Sequence, residues 1–188
     1  MGFVNSVIIL LVSTLLAVSA NHKGTRKNDN SKPTEDAVKE NSFSIQDQKF
    51  IFFPDQNATW SEAVDLCPKL VNDSYLAMVD RRDYLQFMAF VLHKNPHIIE
   101  DRGLLWVDGT YEDGEWIWEG SKTTIPPKNS VDRYPLWTGN TPRTAENCLA
   151  IEKIEDGTKS CSALFHADVC ESRHGFICRK RKINSADV

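Results

Sequence analysis

Hydrophobic positions fall into separate blocks along the chain. Residues 7–20 form a largely apolar stretch of 14 residues ending in Val18-Ser19-Ala20. This is too short to cross a bilayer as a helix, and its small-residue end suits signal-peptidase cleavage, so 1–20 reads as a cleaved signal peptide although no Lys or Arg precedes it. Residues 21–42 hold two apolar side chains, Ala37 and Val38, and read as a flexible polar arm. Apolar character returns at Phe43. Lys49-Phe50-Ile51-Phe52-Phe53 predicts a strand stopped by Pro54. Thr59-Trp60-Ser61-Glu62 fits a capping box, followed at helical spacing by Ala63, Val64 and Cys67, with Pro68 ending or kinking the helix. A second helix is expected from Asp80, burying Tyr84, Phe87, Met88 and Val91, and stopped by Pro96.

From Leu104 the pattern changes to short aromatic strands. Leu104-Leu105-Trp106-Val107 and Glu115-Trp116-Ile117-Trp118 flank a turn at Glu112-Asp113-Gly114. Cys148-Leu149-Ala150-Ile151 and Gly175-Phe176-Ile177-Cys178 read as two further strands. Between the two groups lies a long polar stretch, 119–145, punctuated by prolines; so long a loop in a compact domain is usually functional. The basic run Arg179-Lys180-Arg181-Lys182 and the residues after it read as an unpacked tail. Early helices, late strands and one long loop indicate an α+β domain.

At 188 residues, one domain with appendages is expected. The net charge of −4 conceals an uneven distribution, because residues 43–178 hold 13 basic against 21 acidic side chains, a net of −8 between basic ends. Such a body repels a phosphate backbone, which disfavours nucleic acid as a partner. Export places the five cysteines in an oxidising compartment, where two bridges leave one thiol over; the sequence leaves the pairing open. Asn57-Ala58-Thr59 and Asn72-Asp73-Ser74 are N-glycosylation sequons consistent with that route.

Several of these segments, taken in order, resemble the C-type lectin-like domain across about 43–180. Trp106-Val107-Asp108-Gly109 is similar to the family's central W-I-G-L strand, departing at its last two letters. Residues Gly114-Glu115-Trp116-Ile117-Trp118-Glu119-Gly120 resemble its G-x-W-x-W-x-D-G segment, and Glu146-Asn147-Cys148 its acidic residue ahead of a strand cysteine. Cys170 and Cys178, with Phe176-Ile177 before the second, resemble its C-terminal pair. The resemblance implies a disulfide-stapled C-type lectin-like fold of two helices and short antiparallel strands with a long loop region. It further implies bridges Cys67–Cys178 and Cys148–Cys170. Cys161 is then the unpaired thiol, available for a disulfide-linked dimer, and 181–188 is left as a polar tail.

In lectins of this family a Ca²⁺ ion is held by a Glu-Pro-Asn or Gln-Pro-Asp loop, by an acidic residue and by a Trp-Asn-Asp triplet. The equivalent loop here reads Thr141-Pro142-Arg143, and the triplet position reads Phe165-His166-Ala167. Calcium takes six to eight oxygen ligands. Of the usual side-chain ligands Glu146 alone remains, so the expectation is no cofactor, with the family's Ca²⁺ site lost; Asp168 would serve only in a shifted register. The group Asp108, Glu112, Asp113, Glu115 and Glu119 matches no dedicated calcium loop and is read as surface turn carboxylates. Trp60, Trp106, Trp116 and Trp118 are assigned to the core. Trp137 is either a ligand-facing aromatic or an anchor for the loop.

Nothing in the chain carries a catalytic pattern. His93 and His97 are separated by Pro96, which breaks the helix a zinc pair needs, and no nucleophile elbow or phosphate loop is present. The expectation is a secreted, non-enzymatic recognition module with no membrane span after signal cleavage. It would bind an extracellular protein or glycan through the long-loop face, with Lys128, Trp137, Thr141, Arg143 and Glu146 as contact candidates. The alternatives are a carbohydrate-binding lectin using an atypical site, and a structural protein of matrix or mineral.

Overall fold

The computed structural model describes residues 33–127, 136–138, 146–155 and 161–181. The expected signal peptide, most of the polar arm, Lys128, Thr141, Arg143 and the tail from 182 lie outside these residues. No helix among the described residues is long and apolar enough to cross a membrane.

Regular structure starts inside the segment read as an arm. Helix α1 spans Glu35–Glu40, with Thr34 as N-cap, and Val38 packs against the core. Strand β1 (Ser42–Ile45) turns back onto β2 (Gln48–Ala58). Pro54 does not stop β2; the strand shifts register between Phe53 and Ala58, which absorbs the missing N–H. The Thr59 capping box forms as expected and starts α2 (Trp60–Leu70). Pro68 sits within that helix rather than ending it. Val64, expected inward, is 37% exposed, while Ala63 and Cys67 are buried. After the two-residue β3 (Tyr75–Leu76), α3 covers Arg82–Lys94, two residues later than expected. Its buried stripe is Tyr84, Leu85, Met88, Val91 and Leu92, with Phe87 only partly buried.

Strand β4 (Leu104–Glu112) and β5 (Glu115–Trp118) form a hairpin whose turn residues Asp113 and Gly114 both have positive φ, 48° and 91°, as a two-residue hairpin loop demands. Strand β6 (Thr123–Thr124) continues from β5. Strand β7 (Cys148–Glu155) pairs with β8 (Cys161–Asp168), which the sequence reading had not assigned.

Strand β9 (His174–Arg181) joins the halves of the sheet. It pairs antiparallel with β2 along one edge; along the other it takes β3 antiparallel near Arg179 and β4 parallel near Gly175. The sheet is therefore mixed, not purely antiparallel. Gly175 is required at the crossing, because a Cβ there would lie 2.8 Å from Leu105 Cδ2, Phe53 O and Pro54 Cα.

Arg179, expected in an unpacked tail, is 7% exposed. Its Nε donates to Gln48 Oε1 at 2.9 Å and its NH1 to Asp80 Oδ1 at 2.9 Å, with the guanidinium 4.8 Å from the Tyr84 ring centroid. A buried arginine needs this degree of pairing.

Both implied disulfides form, Cys67–Cys178 and Cys148–Cys170. They close loops with sequence separations of 111 and 22 residues. In the chain-entropy account, removing the first bridge by paired Cys→Ala substitution should cost about 5 kcal/mol and removing the second about 3 kcal/mol. Urea unfolding of the two double variants checks this ranking, and the reverse order would contradict it.

Candidate functional site

The long-loop end of the domain is organised by the pleat of β8. Alternation turns Ala163, Phe165 and Ala167 into the core and leaves Leu164, His166 and Asp168 on the other face, partly exposed. Residues 136–138, within the long polar stretch, are pinned here. Thr138 N–H donates to Phe165 O at 2.8 Å and Phe165 N–H donates to Leu136 O at 2.7 Å, a parallel bridge at Trp137.

This bridge buries Trp137, which is 9% exposed. Its ring centroid stands 5.1 Å from that of Trp116 and 5.6 Å from that of Phe165, and Trp118 meets Phe165 edge-on at 5.8 Å. Such offset and edge contacts suit aromatic quadrupoles. Of its two readings, Trp137 is the loop anchor, and the ligand-facing reading is corrected. Among the described residues, the buried indole N–H groups of Trp116 and Trp137 have no hydrogen-bond partner.

The β8 side offers poor calcium chemistry. Phe165 and Ala167 carry no side-chain oxygen and are buried. His166 Nδ1 is committed to Thr138 Oγ1 at 2.9 Å and Glu152 Oε2 at 3.0 Å. Glu152 is buried, and its Oε1 meets Arg102 NH1 at 3.3 Å. Asp168 is also committed, since Oδ2 pairs with His174 Nε2 at 2.7 Å and Oδ1 accepts from Val169 N–H at 2.8 Å. Glu146 is half-buried two positions before Cys148. Among the described residues no group of three or more His, Cys, Asp or Glu side chains is placed to hold a metal ion. The residues of the triplet position therefore do not fit a calcium ion.

Asp108, read as a surface carboxylate, is 4% exposed. Burial pushes its carboxyl up, against the pull of backbone donors that include Gly120 N–H at 3.0 Å. It fastens the end of β5 to β4. Glu119 is held below the usual carboxylate range by its bonds to Lys122 and to Thr110 Oγ1, while Glu112, Asp113 and Glu115 are exposed, as a turn position suggests.

The remaining candidates are spread over the molecule. Asn57 is half-buried near the end of β2, with its carbonyl accepting from Arg173 Nε at 3.1 Å. Asn72 is exposed in the turn after α2. Cys161 opens β8 as a free thiol, partly buried, and burial pushes its pKa up. Odd and even positions of a strand face opposite ways, so Cys161 and His166 do not form a nucleophile–base pair. A cleft of about 590 Å³ lies elsewhere, between residues 98–104 and the start of β9.

Sequence reasoning missed the Glu152–His166–Thr138 contact. The signal was the alternation of small or aromatic with polar residues from Cys161 to Asp168, which identifies a strand and puts His166 on its polar face.

Residues 56–180 match the family model of the lectin C-type domain. Among solved structures, human lithostathine is 15% identical over 83% of this chain and all of its own, with a TM-score of 0.57. The mouse scavenger receptor C-type lectin carbohydrate-recognition domain is 17% identical over 77% of this chain and 96% of its own, with a TM-score of 0.55. The C-type lectin domain of murine dendritic cell inhibitory receptor 2, solved with an N-glycan, is 14% identical over 76% and 98%, with a TM-score of 0.57. At such identities the likeness is one of fold. No curated protein matches the chain.

The Asp168–His174 pair generates a pH prediction. Burial, the largest influence on Asp168, raises its pKa, but His174, Val169 N–H and Ser172 together outweigh it and hold the carboxyl low. A depressed carboxyl stabilises the fold above its unfolded pKa, near 3.9, and that contribution disappears as pH falls through the folded value. Asp168→Asn should therefore lower the urea midpoint at pH 7, and the difference from the parent should shrink as the pH falls below the unfolded value and through the lower folded one. Parallel midpoint curves down to pH 2 would contradict a role for the charge.

Proposed function

The chain belongs to the C-type lectin domain family, and we propose that it acts as a secreted, non-enzymatic recognition module independent of the family's usual Ca²⁺ ion. The fold is generally a recognition scaffold, and its two disulfides suit an oxidising compartment. The proposed ligand is an extracellular protein or glycan, bound by the long-loop face from about 122 to 145. Lys128, Thr141, Arg143 and Glu146 are the contact candidates, and Trp137 supports the face from beneath.

The observation that carries this reading is the state of the triplet position. Two of its residues are buried without oxygen ligands, and the third is tied to protein groups. A face that has lost its ion must recognise its ligand through side chains and loop shape. Arginine is well suited to that task, since its planar fork pairs bidentately with carboxylates and stacks on aromatic faces. Cys161 is partly exposed at the start of β8, which supports a disulfide-linked dimer; non-reducing electrophoresis showing monomer alone would dispose of it.

A glycan ligand is the favoured form of a second reading, a lectin proper with an atypical site, because a structural neighbour was solved with an N-glycan. Calorimetry and a glycan array with and without EDTA test both. The expected results are no calcium binding at micromolar affinity and no effect of EDTA on whatever the array retains. Micromolar calcium binding abolished by Glu146→Ala would overturn calcium independence.

A further inference from the structure

His166 makes a contact whose proton position can be deduced. Its Nδ1 faces Glu152 Oε2 at 3.0 Å and Thr138 Oγ1 at 2.9 Å. A carboxylate oxygen only accepts, so a bare Nδ1 would set two acceptors against each other at hydrogen-bond distance. The Thr138 hydroxyl also lies 3.3 Å from Phe165 O, to which it donates, so its oxygen can accept from the ring. One arrangement satisfies every group: Nδ1–H shared between Glu152 and Thr138, and Thr138 Oγ1–H directed at Phe165 O. The opposite ring nitrogen, Nε2, then carries no proton in the neutral form.

The clasp joins three segments that are distant in sequence. Glu152 lies on β7, His166 on β8, and Thr138 on the limb 136–138 within the long polar stretch. Arg102 NH1 holds the second oxygen of Glu152, which fixes the carboxylate from its other side. On the opposite face of the same limb, Trp137 is sunk between Trp116 and Phe165. The limb is thus held by an aromatic anchor inward and a polar clasp outward, and the backbone bridge to Phe165 lies between them.

We infer that His166, fixed as its Nδ1–H tautomer by Glu152, is a positioning residue that ties residues 136–138, part of the stretch proposed to meet the ligand, to the sheet at β8. The inference rests on the reading that the long-loop face binds the ligand. It extends that reading by naming what holds residues 136–138, and the tie is a hydrogen bond to a buried carboxylate, which requires no ion from the medium.

Ligand-free measurements on the whole chain test it. Long-range ¹H–¹⁵N spectra of the imidazole should show the Nδ1–H tautomer in the neutral form, and an Nε2–H tautomer would overturn the inference. Amide exchange at Thr138 and Phe165, the two donors of the bridge, should accelerate about tenfold in His166→Ala, the scale expected for losing a hydrogen bond to a charged group. His166→Asn, whose Nδ2–H stands close to the place of the ring Nδ1, should restore slow exchange; unchanged exchange in the alanine variant would overturn the inference. Should His166→Ala fail to fold, the tautomer of the parent and the exchange in His166→Asn decide. Both readouts are independent of calcium and glycan, so failure of the binding tests leaves them unaffected.

Discussion

Strand β9 is hydrogen-bonded along both of its edges, and the other elements are placed by what it can accept there. Beta2 occupies one edge, while β3 and β4 divide the other, one antiparallel and one parallel. Pairing on both sides satisfies most of the backbone groups between Gly175 and Arg179, so the register of each neighbour is constrained. Gly175 allows β2 and β4 to approach at one end, and Cys178 bonds the middle of the strand to α2. Near its far end Arg179 pairs with Gln48 and Asp80. The strand closes a sequence that began more than a hundred residues earlier, and the disulfide removes much of the chain entropy that this closure opposes.

From that frame the placement of β8 and of residues 136–138 follows. Beta4 carries β7 on its other side, and β7 carries β8, so β8 lies far from β9 in the sheet path yet joins it through the short turn after the Cys148–Cys170 bridge. The pleat of β8 then decides which side chains serve the core and which serve the loop. Phe165 completes an aromatic group with Trp116, Trp118 and Trp137, whereas His166, one residue on, faces the buried carboxylate of Glu152. One strand therefore supports the loop from beneath and tethers it from the side. The same pleat turns Ala167, which has no ligating atom, into the core.

Much of this was readable from residues. The capping box at Thr59, the stripe Tyr84–Met88–Val91 and the turn at Asp113-Gly114 depend on interactions within a few positions, and each appears where its local chemistry calls for it. Reading failed where a distant partner overrode a local rule. Pro54 stays within a strand because a register shift accommodates it, and Pro68 stays within a helix whose neighbour Cys67 is cross-linked to the sheet. Arg179 looks like part of a basic tail until Gln48, Asp80 and Tyr84 surround it, and Asp108 looks like a turn carboxylate until Gly120 covers it.

Residue order alone carries the α+β class, the family resemblance, the cysteine pairs that the resemblance implies and the lack of the usual calcium-ligand types at the triplet position. Side-chain chemistry is a property of each residue, so the lack of an oxygen at Phe165 or Ala167 needs no coordinates. Only the tertiary structure decided what those positions do instead. Whether Trp137 faces a ligand or the core, and whether His166 is idle or engaged, depends on contacts between segments that lie from 14 to 28 residues apart. No pattern along the chain encodes that proximity; the folding of β7, β8 and the loop limb against one another creates it.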